Sequence, residues 1–136
     1  MAGRPGRWHG GPGAGWFPHY AGYAAERGRG EGNGFNRNLP LAPGAGDDDW
    51  LAAVAALCGE ARAAGPDAVV VSLGLDAAAT DPESPLQVTD AGYHAAGRQV
   101  AALAPTVLIQ EGGYDLASLG GFAVAAVTGA AAGAYG

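Results

Sequence analysis

Lysine is absent from this 136-residue chain, so all seven basic residues are arginine. Cysteine occurs once, at Cys58, which excludes a disulfide within the chain and fits a reducing compartment. Cys58 lies in an apolar helical run, where a buried, inert thiol is expected. Charged residues of either sign make up only 15% of the chain. No apolar run reaches the roughly 18 residues of a membrane span, and residues 1–15 contain no apolar stretch of the kind a secretory leader needs. A cytoplasmic protein without a membrane partner is therefore expected. The net charge of −6 argues against a nucleic-acid partner, because phosphate affinity rests on a basic face.

The few charges are unevenly sorted. Residues 1–37 carry Arg4, Arg7, Arg27, Arg29 and Arg37 against Glu26 and Glu31, whereas residues 38–136 carry only Arg62 and Arg98 against eleven acids. Glycine is sorted in the same way. The chain holds 25 Gly and 9 Pro, and 13 of the Gly fall in residues 1–46. At 49% hydrophobic it is nevertheless too apolar for wholesale disorder. Residues 1–46 therefore read as a Gly-rich loop region belonging to the same domain as an α/β core over residues 47–136. Gly28, Gly30, Gly32 and Gly34 alternate without the spacing or the preceding strand of a dinucleotide fingerprint.

Within residues 36–41, Asn-Arg-Asn-Leu-Pro-Leu is a candidate edge strand, with Pro40 near its end. Asp47, Asp48 and Asp49 precede Trp50, Leu51, Val54, Leu57 and Ala61 at helical spacing. A helix over residues 48–64 follows, its first-turn acids capping free amides and Gly65-Pro66 stopping it. Residues 68–73 form a continuous apolar run, the pattern of a strand buried on both faces of a parallel sheet. A loop over residues 74–88 leads to Thr89, a candidate N-cap for a helix that ends near Pro105. Residues 106–110 read as a second buried strand, residues 111–114 as a tight turn, and residues 116–132 as a last helix. This order predicts an α/β fold with a partial parallel sheet and flanking helices.

Both loops that leave the strands emerge at the sheet's C-terminal edge, where open α/β sheets bind ligands. The first offers Asp76 and Asp81, the second Glu111 and Tyr114. Asp76 at a strand end either caps a turn or coordinates a cation, since a carboxylate there is costly unless partnered. Tyr114 follows two glycines that permit a close backbone approach, and its phenol either packs over the sheet edge or donates to a developing oxyanion. Asp81, before Pro82, is expected to fix its loop. His94 falls inside a helix, and His9 and His19 fall among aromatics in the Gly-rich start.

Taken in order, these segments resemble a known family. The segments are Val69-Val70-Val71-Ser72-Leu73-Gly74-Leu75-Asp76, Asp81-Pro82, then Leu86, Thr89, Tyr93 and Gly97, and Gln110-Glu111-Gly112-Gly113-Tyr114. Together they resemble the C-terminal portion of the histone deacetylase and acetylpolyamine amidohydrolase superfamily, with a flavour closest to its bacterial members. The start is similar too, at His9-Gly10-Gly11-Pro12, Phe17-Pro18-His19, Glu26 and residues 36–44. The resemblance implies a deacetylase-type α/β fold and a zinc ion held by two Asp and one His. That zinc activates a water to attack an acetamide carbonyl, paired His residues handle protons, and a Tyr stabilises the oxyanion. Carried over, Asp76 is the second zinc-binding Asp, Tyr114 the oxyanion Tyr, and Gly112 and Gly113 the glycines beside the substrate pocket. The implied substrates are acetylated amines or acetyl-lysine.

The family's Asp-x-His motif and its catalytic His pair do not occur in these residues. Asp76 alone cannot hold a catalytic zinc, which takes about three protein ligands. The chain is accordingly expected to be a truncated, C-terminal part of a deacetylase, inactive alone. The alternative is a non-catalytic binding module that pairs with another copy or another chain through an open sheet edge.

Overall fold

A computed structural model describes residues 21–135. They divide into two compact units, with the boundary between Ala42 and Pro43. In the first unit, residues 21–42 carry one short 3-10 turn at Gly30–Gly32 and are otherwise irregular. Here Glu26 is the organiser. Its carboxylate accepts from the Gly22 amide at 2.9 Å and from Asn38 Nδ2 at 2.9 Å, while Asn36 Nδ2 donates to the Glu26 carbonyl at 3.0 Å. The edge strand expected at residues 36–41 does not form, because the two Asn side chains bond back to this loop and no neighbouring strand pairs with it. The alternating glycines serve a turn: Gly28 has φ +86, and a Cβ there would strike the Gly32 carbonyl.

The second unit, Pro43–Gly136, is built from α1 (Asp47–Ala64), β1 (Val69–Leu73), α2 (Asp90–Ala101), β2 (Thr106–Gln110) and α3 (Leu119–Ala134). The strands pair in parallel with Val71 opposite Leu108 and Leu73 opposite Gln110. The α/β class and the partial parallel sheet match the expectation. α1 ends where Gly65 takes the left-handed conformation (φ 65, ψ 59) and its amide reaches the Arg62 carbonyl. α2 starts at Thr89, whose hydroxyl accepts from the Gly92 amide at 3.4 Å.

Three local expectations are corrected. The first-turn acids of α1 do not serve as its N-cap: that position is Gly46, which offers no side chain, and Asp47 reaches across instead to the Thr89 amide at 2.8 Å. Asp47 thus ties the start of α1 to the start of α2. The helix expected from residue 116 begins at Leu119, because Asp115 first closes a turn on Ala117 and Ser118. The strands are covered on one face only. Val71, Leu73 and Leu108 face the helices across a cavity lined by Trp50, Tyr93 and Ala126, but Val70 is 68% exposed, Val107 58% and Ile109 49%. A continuous apolar run signals two buried faces, and the residues of this unit supply a layer for one.

The core lies between that covered face and the helices. Leu75, Ala78, Val88, Tyr93, Phe122 and Ala126 are buried together, with Trp50, Leu73 and Leu119 packed against them. Tyr93 is its centre, edge-on to Trp50 at 5.1 Å and tilted against Phe122 at 5.4 Å. Such aromatic pairs contribute about 0.5–1.5 kcal/mol beyond the area they bury. Three of the six core residues, Leu75, Ala78 and Val88, come from the long loop between β1 and α2. That loop is therefore anchored by packing, and also by the Gly44 amide on the Pro85 carbonyl at 2.7 Å and the Gln87 amide on the Ala45 carbonyl at 2.9 Å.

Candidate active-site half

The two strand-exit loops are held together by backbone first. Beyond the last ladder pair, the Glu111 amide donates to the Leu73 carbonyl at 3.0 Å and the Leu75 amide to the Gly112 carbonyl at 2.9 Å. Parallel pairing thus runs on past both strands, and so residues 111–114 do not form the tight turn expected of them. Only Gly113 there has a positive φ, at +137. A Cβ at Gly113 would meet Leu119 Cδ1 at 2.5 Å and Leu75 Cβ at 3.1 Å. Glycine is required at that point by conformation and by space together.

Asp76 follows directly. A Cβ at Gly112 would strike its Oδ2 and Cγ, and one at Gly74 would meet its Oδ1 at 2.6 Å. The carboxylate therefore lies in the space that two missing side chains leave, half-buried, on the surface of the neighbouring loop. Among the described residues no donor bonds to it. A half-buried carboxylate without hydrogen bonds is unfavourable unless a cation or other donor meets it, and no turn-capping bond to it is seen among the described residues.

The second acid of this loop has the opposite character. Asp81 is buried, and its Oδ2 accepts from the Tyr114 amide at 2.6 Å and the Asp115 amide at 3.3 Å, while Oδ1 accepts from the Glu83 amide at 2.9 Å. Asp81 fixes its own loop, as expected, and also clamps the other loop at Tyr114. Tyr114 is 58% exposed. Glu111 is exposed, and it contributes its backbone to the pairing.

Four contributors escape a reading of the sequence. Tyr93 donates its phenol to the Gly74 carbonyl at 3.3 Å, supporting the strand end under Asp76. Burial, and then the nearby Asp76 and Asp81 carboxylates, push that phenol well above the usual tyrosine range. Asp115 accepts from the Ser118 hydroxyl at 2.6 Å, and Ser118 in turn bonds the Thr80 hydroxyl at 2.8 Å, so the two loops are tied a second time. The hydroxyls of Ser118 and then Thr80 hold the Asp115 carboxylate below its ordinary value. The Asp-x-x-Ser spacing at residues 115 and 118 is a local capping signal that could have found this pair. Nothing local points to Thr80 or Tyr93.

His94 is exposed on α2, and its carbonyl packs against Gly129 of α3. His9 and His19 lie outside the described residues. Cys58 is buried, as expected, and burial raises its thiol, with Arg62 opposing the rise. Among the described residues no cluster of three His, Cys, Asp or Glu side chains stands ready for a metal. Asp76 fits one position of a zinc site, but these residues do not complete one.

A half-buried carboxylate and an exposed phenol thus stand on two joined loops at the C-terminal edge of a parallel sheet in an α/β fold. The chain belongs to the histone deacetylase domain family, whose model matches residues 8–130. It is 43% identical to acetylpolyamine amidohydrolase 1 of Pseudomonas aeruginosa over 105 residues, which is 76% of this chain and 30% of that protein. It is also 43% identical over 112 residues to the acetylpolyamine amidohydrolase of Burkholderia pseudomallei, covering 82% of this chain and 33% of the relative. A crystal structure of the acetylpolyamine aminohydrolase from Burkholderia pseudomallei superposes with a TM-score of 0.85 at 40% identity, over 92% of this chain and 36% of that one. The chain thus spans about a third of the length of these relatives.

Proposed function

We propose that this chain supplies one wall of the active site of a zinc-dependent deacetylase. Asp76 is the metal-ligating carboxylate, Tyr114 the phenol that stabilises the oxyanion, and Gly112 and Gly113 the backbone beside the substrate. The observation that carries the reading is the Asp76 carboxylate, lodged against Gly112 with no hydrogen-bond donor of its own among the described residues. The substrates are acetylated amines, either acetylpolyamines or acetyl-lysine. The names of the two relatives given above support the first of these. When bound, zinc supplies Lewis acidity and an activated water to this chemistry. What the chain's own residues do is narrower: Asp81 holds the Tyr114 amide, and Gly112 and Gly74 leave room for the Asp76 carboxylate.

As these 136 residues the chain is expected to release no acetate, because one carboxylate does not hold a catalytic zinc. Acetate release from acetylputrescine and from an acetyl-lysine peptide, measured with added zinc, should equal the buffer blank. Zinc-dependent turnover abolished by Asp76→Ala would overturn the expected inactivity while supporting the residue assignment.

A second reading, a module that associates through its sheet, is favoured by the exposure of Val70, Val107 and Ile109 on one sheet face. Parallel sheets are ordinarily covered on both faces. Sedimentation of the isolated chain would separate the readings: a stable oligomer of fixed size supports association, and a monomer at all concentrations argues against self-pairing.

A further inference from the structure

The end of the second unit opposite Asp76, where α1 and α2 finish and the strands begin, carries a second concentration of chemistry. This unit has eleven acids and only two cations, Arg62 and Arg98. Arg62 lies in the last turn of α1 and Arg98 in the last turn of α2, and both line one open cavity of about 630 Å³. Gln99 and Cys58 also line it, and Ala102 and Gly133 contribute small, apolar wall. Among the described residues neither guanidinium has a hydrogen-bond acceptor or a carboxylate partner, although acids outnumber cations more than five to one in this unit. The helix dipole favours a cation in each last turn, but it gives no reason for two like charges to converge on one cavity unpaired.

We infer that this cavity binds a phosphate group, free or carried by a small organic molecule. Two guanidinium forks match the charge of a phosphate dianion and its oxygens, which arginine engages bidentately. The Gln99 amide adds a neutral donor, and the absence of bulky side chains at Ala102 and Gly133 leaves room for a carrier's apolar part. The site is independent of the deacetylase reading, since it shares no residue with the strand-exit loops.

The single thiol makes the cavity self-reporting. In the full chain, alkylation of Cys58 by iodoacetamide is timed in inorganic phosphate, in phenyl phosphate and in sodium chloride of equal ionic strength. Phosphate should slow the reaction saturably, at least fivefold beyond chloride, and Arg62→Gln or Arg98→Gln should remove the difference. Slowing by phenyl phosphate at much lower concentration would assign an organic carrier, and equal potency would assign free phosphate. Equal rates in phosphate and chloride, or slowing that survives both substitutions, would overturn the proposal. NMR titration of the unsubstituted chain gives the same decision without a variant: the Nε–Hε signals of Arg62 and Arg98 should shift selectively with phosphate, and their failure to move would refute it.

Discussion

At the scale of the residue, the candidate site is a set of fitted pairs. Gly112 has no side chain because Asp76 occupies that space. Gly112→Ala should therefore destabilise the chain by about 1–3 kcal/mol, the usual cost of overpacking. In an Asp76→Gly background most of that cost should vanish, and urea denaturation of the four variants would measure the coupling. Additive effects would show that Asp76 is not what excludes the methyl group. Tyr93 gives a pH test. Its phenol is raised in the folded state, so above about pH 10 the unfolded chain loses a proton that the folded chain keeps, and stability falls as pH rises. Tyr93→Phe should lose less stability than the parent between about pH 10 and 12, followed by urea midpoints. An unchanged alkaline slope would remove Tyr93 as its source. Asp76, Tyr114 and Asp81 could be singled out in the sequence because they follow strands. The Asp81 bond to the Tyr114 amide could not, since 33 residues separate the partners and only packing brings them together.

At the scale of the element, α2 and α3 meet through glycines. A Cβ at Gly129 would strike the His94 carbonyl, one at Gly133 the Arg98 carbonyl, and one at Gly97 the Ala126 carbonyl. Two effects oppose each other in Gly129→Ala. Helix propensity favours Ala by about 1 kcal/mol, while forcing apart a backbone-to-backbone contact costs about 1–3 kcal/mol or more. The contact should win, because a carbonyl in a neighbouring helix cannot swing aside as a side chain can. Thermal unfolding should show a lower midpoint for Gly129→Ala, whereas Gly59→Ala in α1, where nothing lies within 4 Å, should raise it. The reverse order would refute the close-packing account. Periodicity and breakers made these helices and strands visible to within a few residues, and β2 spans the expected residues 106–110. The start of α3 was displaced because the Asp115 turn competes locally with the helix.

At the scale of the whole molecule, the second unit buries one sheet face and leaves the other apolar and open. Val70→Lys with Ile109→Lys should change the stability of the isolated chain by no more than about 0.5 kcal/mol each, as surface substitutions do, and should reduce self-association in sedimentation. Val88→Lys, at a position with no exposure, should unfold it. A large loss of stability from the sheet-face pair would mean that the face is already covered. The α/β class, the order of elements and the family were all contained in the sequence, because alternating apolar runs, helix caps and loop-borne carboxylates are local patterns. Even the poverty in cations was visible there, as was the even sharper poverty after residue 37. Only the tertiary structure decided that Arg62 and Arg98 share a cavity and that Asp76 rests on Gly112 with no partner among the described residues. It also decided that one sheet face of the second unit is left exposed at Val70, Val107 and Ile109. These are contacts between segments distant in the chain, and close packing, not local preference, selects them.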